Sequence, residues 1–265
     1  MTLTLRLGLL RSGLELRQFF RGRESVIFSF ALPILLLVVF GSVFGSADAA
    51  PGVTLTQYFV PGMIAAAQLT NGFQTLAIQI PVERDRGVLK RLYGAPMPAS
   101  SYFIGKVVMV YLIGAVGSAI MLAIATAFFD VTLPSTGRQW FTLLWVSLLG
   151  IAACTLCGIA FSSIPREAKR APAVVTPVAL VLQFISGVFF VFTDLPGWMQ
   201  QVAAVFPLKW MAQGMRSVFL PDSFAVNEAA GSWELDRVAL MLGAWVIVGL
   251  ALCLLTFRWT GREDR

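Results

Sequence analysis

Long apolar runs alternate with short charged segments along the whole sequence. Six runs cover residues 25–45, 57–81, 102–129, 139–164, 171–193 and 238–257. Each is long enough to form a helix across the hydrocarbon core of a bilayer, which takes ~20 mainly apolar residues. The pattern predicts an all-α integral membrane protein with six transmembrane helices, organised as one transmembrane domain over residues 1–265.

Two segments outside these runs are amphipathic. In residues 1–24, leucines at helical spacing alternate with arginines, which is typical of a helix that lies in the membrane interface. In residues 194–237, apolar residues recur at i, i+4, i+7 and i+8 on both sides of Pro207. We expect two short helices there, with Trp198 and Trp210 near the membrane surface.

The segment "SADAA" after the first run resembles a signal-peptidase site, so cleavage is an alternative to a retained span. The apolar run before it is longer than the roughly 7–15 residues of a signal peptide, and the long basic lead-in is atypical. We therefore interpret this run as a retained first span.

The distribution of charge predicts an orientation. If both termini face the cytoplasm, 16 of the 20 Lys and Arg residues lie on the cytoplasmic side, whereas the 14 acidic residues divide equally between the two sides. This asymmetry follows the positive-inside rule. We expect a multi-pass protein of a bacterial cell (cytoplasmic) membrane, with residues 194–237 outside.

Composition excludes several classes of function. The chain is 57% hydrophobic and only 13% charged, whereas soluble domains have roughly 25% charged residues. Its net charge of +6 is spread over short segments, which suits lipid headgroups rather than nucleic acid. Without histidine, and with its three cysteines inside apolar runs, the sequence predicts no metal site. Cys154 and Cys157 have C-x-x-C spacing, but Gly150, Cys154 and Gly158 favour helix packing over redox chemistry.

The sequence suggests no energy source within the chain. The only Gly-Lys pair, Gly105-Lys106, lacks the upstream glycine and the following Ser or Thr of a phosphate-binding loop. The six runs contain no Asp or Glu away from their ends, although ion-coupled carriers usually rely on ionisable groups inside the membrane. Transport is therefore either passive or driven by a partner.

The charged segment 82–101 joins the second run to the third and is the expected contact for such a partner. Its early acidic and later basic residues suit the macrodipole of a short helix over Val82–Arg91, which Gly94, Pro96 and Pro98 would end. Such a helix can dock into a groove on a soluble protein; a solvated loop that only sets topology is the alternative. The residues assigned to this contact are Glu83, Arg84, Asp85, Gly87, Leu89, Lys90, Arg91 and Leu92.

Two stretches resemble a known family. "VERDRGVLKRLYGAPMPASSYFIGK" resembles the pattern E-R-[ED]-x-G-[TV]-h-[EK]-x-L-x-[AT]-x-P, followed by Gly-Lys, of the second family of ATP-binding-cassette exporters, the drug- and polysaccharide-export permeases. "ISGVFFVFTDLPGWMQQVAAVFPLKWMAQGMRSVF" is similar to that family's segment before the last span. Val88, Lys90 and Gly94 differ from the commoner residues, and the proline expected soon after Gly187 is missing.

The resemblance implies a permease that pairs with a second copy or a homologue and with separate nucleotide-binding ATPase subunits. Residues 82–101 are then a coupling helix on the ATPase, and residues 194–237 form short re-entrant helices from outside. ATP and Mg are bound by the partner subunit, so this chain is not itself an enzyme and holds no cofactor. Membrane lipids surround it.

A polar stripe follows the second run. At 100° per residue its members fall within an arc of ~140°, which indicates contact with protein or with a translocation pathway rather than with lipid; hydrogen bonding between helices is the alternative. The candidate pathway residues are Gln68, Asn71, Gln74, Thr75 and Gln79, together with Gln183 of the fifth run.

The function that these features favour is ATP-driven export of a hydrophobic or amphiphilic compound, such as a drug, lipid or glycolipid, from the cytoplasm or the inner leaflet. A membrane-embedded lipid-modifying enzyme and a polytopic scaffold without transport are the alternatives. The enzyme would need converging acids, bases or metal ligands in the spans, and none are visible in the sequence.

Overall fold

The computed structural model describes residues 3–45, 47–94, 98–129, 131–165, 167–257 and 259. The chain is 81% helical, which confirms the all-α class predicted from the sequence. The α-helices are α1 (Leu3–Arg21), α2 (Arg23–Val26), α3 (Leu32–Phe44), α4 (Leu55–Leu69), α5 (Thr75–Asp85), α6 (Val88–Tyr93), α7 (Ala99–Phe128), α8 (Gly137–Phe161), α9 (Ala171–Ile185), α10 (Gly197–Val205), α11 (Pro207–Phe219) and α12 (Leu235–Thr256).

Within the described residues, four helices are long and apolar enough to cross a membrane. They are Ser100–Phe128, Gly137–Phe161, Ala168–Ile185 and Leu235–Thr256, which correspond to the predicted third to sixth spans. In the predicted first span, the apolar helix Ser29–Phe44 falls short of that length. These helices support an all-α membrane protein, and the count of six spans stays a prediction.

The predicted second span is one helical path that contains a π turn. It runs through α4, the π turn Thr70–Gln74 and α5 without leaving helical geometry. The Thr75 hydroxyl donates to the Thr70 carbonyl at 3.1 Å, which supports the wider turn. A π turn inserts one residue into a helix and rotates the side chains beyond it relative to those before it.

The predicted helix over Val82–Arg91 is wrong, because the structure divides this segment at Gly87. Helix α5 continues from the second span to Asp85, and the separate α6 begins at Val88. Gly87 has a φ of 69°, a left-handed backbone that glycine adopts without a Cβ penalty. Of the three residues predicted to end the helix, Gly94 follows α6 directly and Pro96 lies outside the described residues.

The fifth span also ends earlier than predicted, at Ile185 rather than near residue 193. Gly187 takes a φ of 72°, and a Cβ at that position would meet the Phe192 side chain at 2.8 Å. A short 3₁₀ turn, Phe192–Asp194, follows. The chain therefore turns back toward the bundle where an apolar run alone predicts a continuing helix.

A small hairpin that the sequence pattern does not predict follows α3. Strand β1 (Asp48–Ala50) pairs antiparallel with β2 (Val53–Thr54). The Thr54 hydroxyl accepts a hydrogen bond from the Gln57 N–H at 3.2 Å, while the Gln57 side chain accepts from the Thr54 N–H at 3.1 Å. This reciprocal capping box satisfies two backbone donors at the start of α4.

Helices α10 and α11 occupy the segment predicted to hold two short helices, but α11 does not lie on the surface. It packs against α4, α8 and α12, and nearly all of its residues are buried. Trp198 of α10 is 62% exposed, whereas Trp210 of α11 is 7% exposed and donates from its indole nitrogen to the Ala204 carbonyl. Trp210 therefore packs inside the protein while Trp198 is exposed, and the position of both near the membrane surface stays a prediction.

Candidate functional site

The charged segment after α5 forms a short surface helix with one buried anchor. Leu89 of α6 is fully buried in the same apolar cluster as Phe19 of α1 and Tyr102 of α7. Leu92 is half-buried beside it. The exposed side chains of residues 86–94, called the docking face below, are Arg86, Lys90, Arg91 and Tyr93. Three of the four are basic, so this surface is positively charged.

A buried group of ionised side chains holds the base of the segment. Lys106 of α7 is fully buried, and its ammonium bonds to Glu15 of α1 at 2.7 Å and to Glu83 of α5. The Tyr102 hydroxyl donates to Glu83 at 2.8 Å, and the Arg11 guanidinium donates to Glu15 at 3.0 Å. We call these five residues the charge cluster. One ammonium pairs with carboxylates from two other helices, so the cluster joins α1, α5 and α7.

The last turn of α5 is also bonded to the neighbouring spans. The Arg84 guanidinium donates to the Ser162 carbonyl, directly after α8, at 3.1 Å. The Asp85 carboxylate accepts a hydrogen bond from the Ala168 N–H at 2.8 Å, at the start of the 3₁₀ turn that leads into α9. A displacement of α5 would therefore act on α7, α8 and α9 together.

The residues predicted to contact a partner thus divide into two groups. Glu83, Arg84 and Asp85 bond within the chain and fix the end of the second span. Beyond the break at Gly87, Lys90 and Arg91 are exposed. The sequence pattern predicts one docking helix that contains both groups. In the structure, the first group anchors the segment within the chain and only the second lies on the outer surface.

The polar stripe of the second span points in two directions. The Gln68 amide nitrogen donates to the hydroxyls of Ser118 in α7 and Ser147 in α8, both at 3.3 Å. The Gln74 amide donates to Thr176 of α9 at 3.2 Å. Gln68 and Gln74 are about 120° apart in the predicted arc, and the π turn lies between them.

The other predicted pathway residues differ in what their side chains contact. Gln183 of α9 donates from its amide to the Thr70 hydroxyl in the π turn at 3.4 Å. Asn71 is 3% exposed, and its side-chain oxygen has no hydrogen-bond partner among the described residues. Gln79 is half-buried near the end of α5. Gln74 and Gln183 each join the second span to α9 in a separate hydrogen bond, whereas Gln68 bonds to α7 and α8.

The small-residue seam of α8 packs tightly, as predicted. A Cβ at Gly158 would meet the carbonyl oxygens of Gly72 and Phe73 at 2.7 and 2.6 Å, and a Cβ at Gly150 would meet Met211 at 2.6 Å. Cys154, between them, is fully buried as a free thiol. These glycines allow α8 to approach both the π turn and α11.

A buried ion pair holds α11 in place. Arg216 is fully buried, and its guanidinium donates to both carboxylate oxygens of Glu228, at 3.0 Å for the second oxygen. The same guanidinium lies 4.9 Å from the centre of the Tyr58 ring in α4. Arg216 is one of the four basic residues that the sequence places outside, and its bidentate pairing explains how a charge is tolerated there.

Lys209, near the start of α11, is a second buried cation. Its ammonium lies 3.6 Å from the centre of the Trp210 ring and donates to the Gln213 side chain. Burial lowers the pKa of Lys209 to about 8, although Glu228 and Glu234 act to raise it.

Four members of the charge cluster, Arg11, Glu15, Tyr102 and Lys106, were not among the predicted site residues. Glu15 is the one acidic residue between basic and apolar neighbours over residues 6–23, and Lys106 stands just inside an apolar run. Both are unusual placements for a charge and could have been recognised as a candidate pair. Tyr102 carried no such signal. Nothing in the sequence near Arg216 indicated that Glu228 is its partner.

The chain was compared with known proteins. A family model described as ABC-2 type transporter matches residues 13–220. The chain is 25% identical to the inner membrane transport permease YadH of Escherichia coli over 188 residues, which cover 70% of this chain and 72% of that protein. It is 27% identical to a Mycobacterium tuberculosis protein named "Probable doxorubicin resistance ABC transporter permease protein DrrC", over 78% of this chain and 75% of that one. The similarity to "Probable multidrug ABC transporter permease YbhR" of Escherichia coli is 22% identity over 65% of this chain and 46% of that one.

Proposed function

The chain belongs to the ABC-2 type transporter family, and we propose that it is the transmembrane subunit of an ATP-driven exporter of hydrophobic or amphiphilic compounds. The family match over residues 13–220 is the observation that carries this proposal. The names of its relatives, which include multidrug and doxorubicin resistance permeases, favour transport over the lipid-modifying enzyme and the scaffold. The substrates are drugs, lipids or glycolipids that leave the cytoplasm or the inner leaflet.

The energy for export comes from a separate nucleotide-binding subunit, which binds ATP and Mg. The docking face supports this partner, because α6 displays basic side chains on a helix that is anchored by Leu89 and lies next to the charge cluster. A second copy of the chain or a homologue completes the permease. The chain itself has no ATPase site in this proposal.

The proposal is tested by looking for an ATPase subunit in the adjacent reading frames, co-expressing it with the chain and reconstituting the purified complex into proteoliposomes. We expect ATP hydrolysis that increases with an exported compound, and accumulation of that compound across the membrane. A chain that never co-purifies with an ATPase, in cells that contain its neighbouring genes, would contradict the proposal.

The proposed topology has six spans, both termini in the cytoplasm and residues 194–237 outside. Single cysteines at Ser223 and Ser100 test it, because both serines are exposed in the structure. An impermeant thiol reagent on intact cells is expected to label position 223 and to leave position 100 unlabelled until the cells are opened. The unsubstituted chain, with its own three cysteines, is the control. Labelling of position 100 alone would invert the orientation.

The translocation pathway in this proposal lies beside α9, to which Gln74 and Gln183 each join the second span. Asn71→Leu and Gln74→Leu are expected to change the relative export of two compounds by about threefold or more, the order expected for one lost hydrogen bond. Thermal stability and assembly with the ATPase are expected to stay near those of the parent chain. Asn71 is the sharper probe, because its side-chain oxygen has no partner to lose among the described residues.

Loss of stability without a change in selectivity would assign these residues to helix packing instead. The double variant Gln74→Leu with Thr176→Val checks this outcome, because it removes both ends of one hydrogen bond. If packing is their role, the double variant is expected to recover part of the stability that Gln74→Leu loses.

A further inference from the structure

A groove lies on the side of the second span that faces α7 and α8. Its volume is about 640 Å³, within the range of roughly 300–1,000 Å³ that small-molecule sites usually have. Gln68 of α4 lies among its lining residues, together with Ser118 and Ala119 of α7 and Ser147 of α8. We call it the lateral groove. It lies apart from the Gln74–Thr176 contact that marks the proposed pathway.

The walls of the lateral groove are apolar and its mouth is open to the outer surface of the bundle. Trp140, Leu144 and Leu148 of α8 line it while remaining 48%, 57% and 45% exposed. At one end the Tyr111 hydroxyl of α7 donates to the Leu148 carbonyl and bridges the two helices. In a protein that crosses a membrane, the mouth between two spans faces lipid. A ligand can therefore enter from the bilayer.

The floor of the groove is polar and incompletely bonded. Gln68 is 2% exposed, and both hydrogen bonds from its amide nitrogen go to the serine hydroxyls of the neighbouring helices. Its side-chain oxygen has no hydrogen-bond partner among the residues that the structure describes. A buried carbonyl oxygen without a donor is costly and rare, so a ligand in the groove that brings a donor, and toward which the Gln68 amide turns, would satisfy this atom.

We propose that the lateral groove binds a compact, uncharged and mostly apolar molecule that carries a hydrogen-bond donor, and that the Gln68 side-chain oxygen accepts from it. Among the described lining residues none is charged, so a charged group would be desolvated without a counter-ion. A lipid acyl chain fits the walls but leaves Gln68 without a donor. This inference rests on the proposed export function, because the ligand class described here is a class of exported compound.

Two photoactivatable probes of one size test the proposal: an aryl diazirine with a hydroxyl group and its methyl ether, which lacks the donor. The full-length chain is labelled in nanodiscs of phosphatidylethanolamine and phosphatidylglycerol, without ATP, and the labelled peptides are mapped. We expect saturable labelling of α7 and α8 by the hydroxyl probe, about threefold to tenfold above the ether, as for one hydrogen bond. Gln68→Leu is expected to abolish the difference.

A filling variant keeps the test independent of Gln68. Ala119 lines the groove and is exposed, so Ala119→Trp can occupy the opening without displacing the core, and it is expected to reduce labelling of α7 and α8. Ala251→Trp, at an exposed alanine of α12 outside the lining, is the matched control and is expected to leave labelling unchanged.

Equal labelling by both probes in the parent chain, or labelling that palmitoyl methyl ester suppresses for both probes alike, would show a groove filled by acyl chains and would overturn the proposal. Because binding is measured without ATP, this result does not depend on coupling to the ATPase. If the chain exports its substrates but shows no donor-selective labelling, the groove proposal is wrong and the proposed export function stands.

Discussion

Replacing Lys106 with methionine is expected to lower the midpoint of thermal unfolding by roughly 10 °C. The ammonium is fully buried and pairs with Glu15 and Glu83. Removing one partner of a buried ion pair costs about 3–5 kcal/mol, because the remaining charge is left uncompensated. For a chain of this size each kcal/mol corresponds to roughly 2–4 °C. Heating in detergent followed by size-exclusion chromatography measures the midpoint.

Lys169→Met is the matched control, because it removes the same group from an exposed position after α8. Substitutions at such positions usually change stability by less than about 0.5 kcal/mol. A Lys106→Met midpoint within 2–3 °C of this control, roughly the effect of 1 kcal/mol, would show that the charge cluster contributes little to the fold.

A rescue variant separates charge from shape. Adding Glu83→Gln to Lys106→Met removes the carboxylate left without a cation and keeps a side chain of similar volume, while Glu15 stays paired with Arg11. The double variant is expected to recover much of the lost stability, since no uncompensated charge is then left in the cluster. If it stays as unstable as Lys106→Met, the loss comes from the shape of the lysine side chain and not from its charge.

The long spans could be predicted from the sequence because they depend on local hydropathy alone. Helices α7, α8 and α12 begin and end within a few residues of the predicted runs. The helix ends that depend on backbone conformation could not be predicted. Gly87 and Gly187 adopt positive φ, and neither glycine interrupts the apolar or charged pattern around it. The sequence alone does not distinguish a glycine that turns the chain from a glycine that continues a helix.

Contacts between residues far apart in the sequence could not be predicted either. Glu15 and Lys106 are 91 positions apart, and no periodicity relates them. The sequence identified the polar residues of the second span as one stripe. Its arc was too wide, however, to show which neighbouring helix each residue faces. Only the packing of α7, α8 and α9 around the π turn shows that Gln68 and Gln74 face different helices.

Breaking α6 is expected to uncouple ATP hydrolysis from export. In a helix over Val82–Arg91, Leu89 would be the natural place for a disruptive proline. In the structure, however, α6 begins at Val88, so Leu89 lies in the first turn, where proline removes no helical hydrogen bond. Arg91 is the better site, because its N–H donates to the Gly87 carbonyl at 3.1 Å and its side chain is exposed.

Arg91→Pro removes that hydrogen bond and places the ring against the Gly87 carbonyl, at a cost of about 3 kcal/mol. So short a helix has little cooperative stability to offset this cost. If the ATPase binds only the folded helix, its affinity for the permease is expected to fall on the order of 100-fold. Arg91→Ala removes the same side chain without breaking the backbone, and it is expected to cause a much smaller loss.

In the proposed coupling, α6 receives force from a separate ATPase, and α5 and the charge cluster pass it to the spans. Substrate-stimulated ATP hydrolysis by complexes in proteoliposomes, compared between Arg91→Pro and Arg91→Ala at limiting ATPase concentration, tests it most directly. We predict that stimulation is lost in the proline variant and largely kept in the alanine variant, while both chains are inserted normally. Equal stimulation in the two variants would contradict the account, because the charged segment would then only set the topology of the chain.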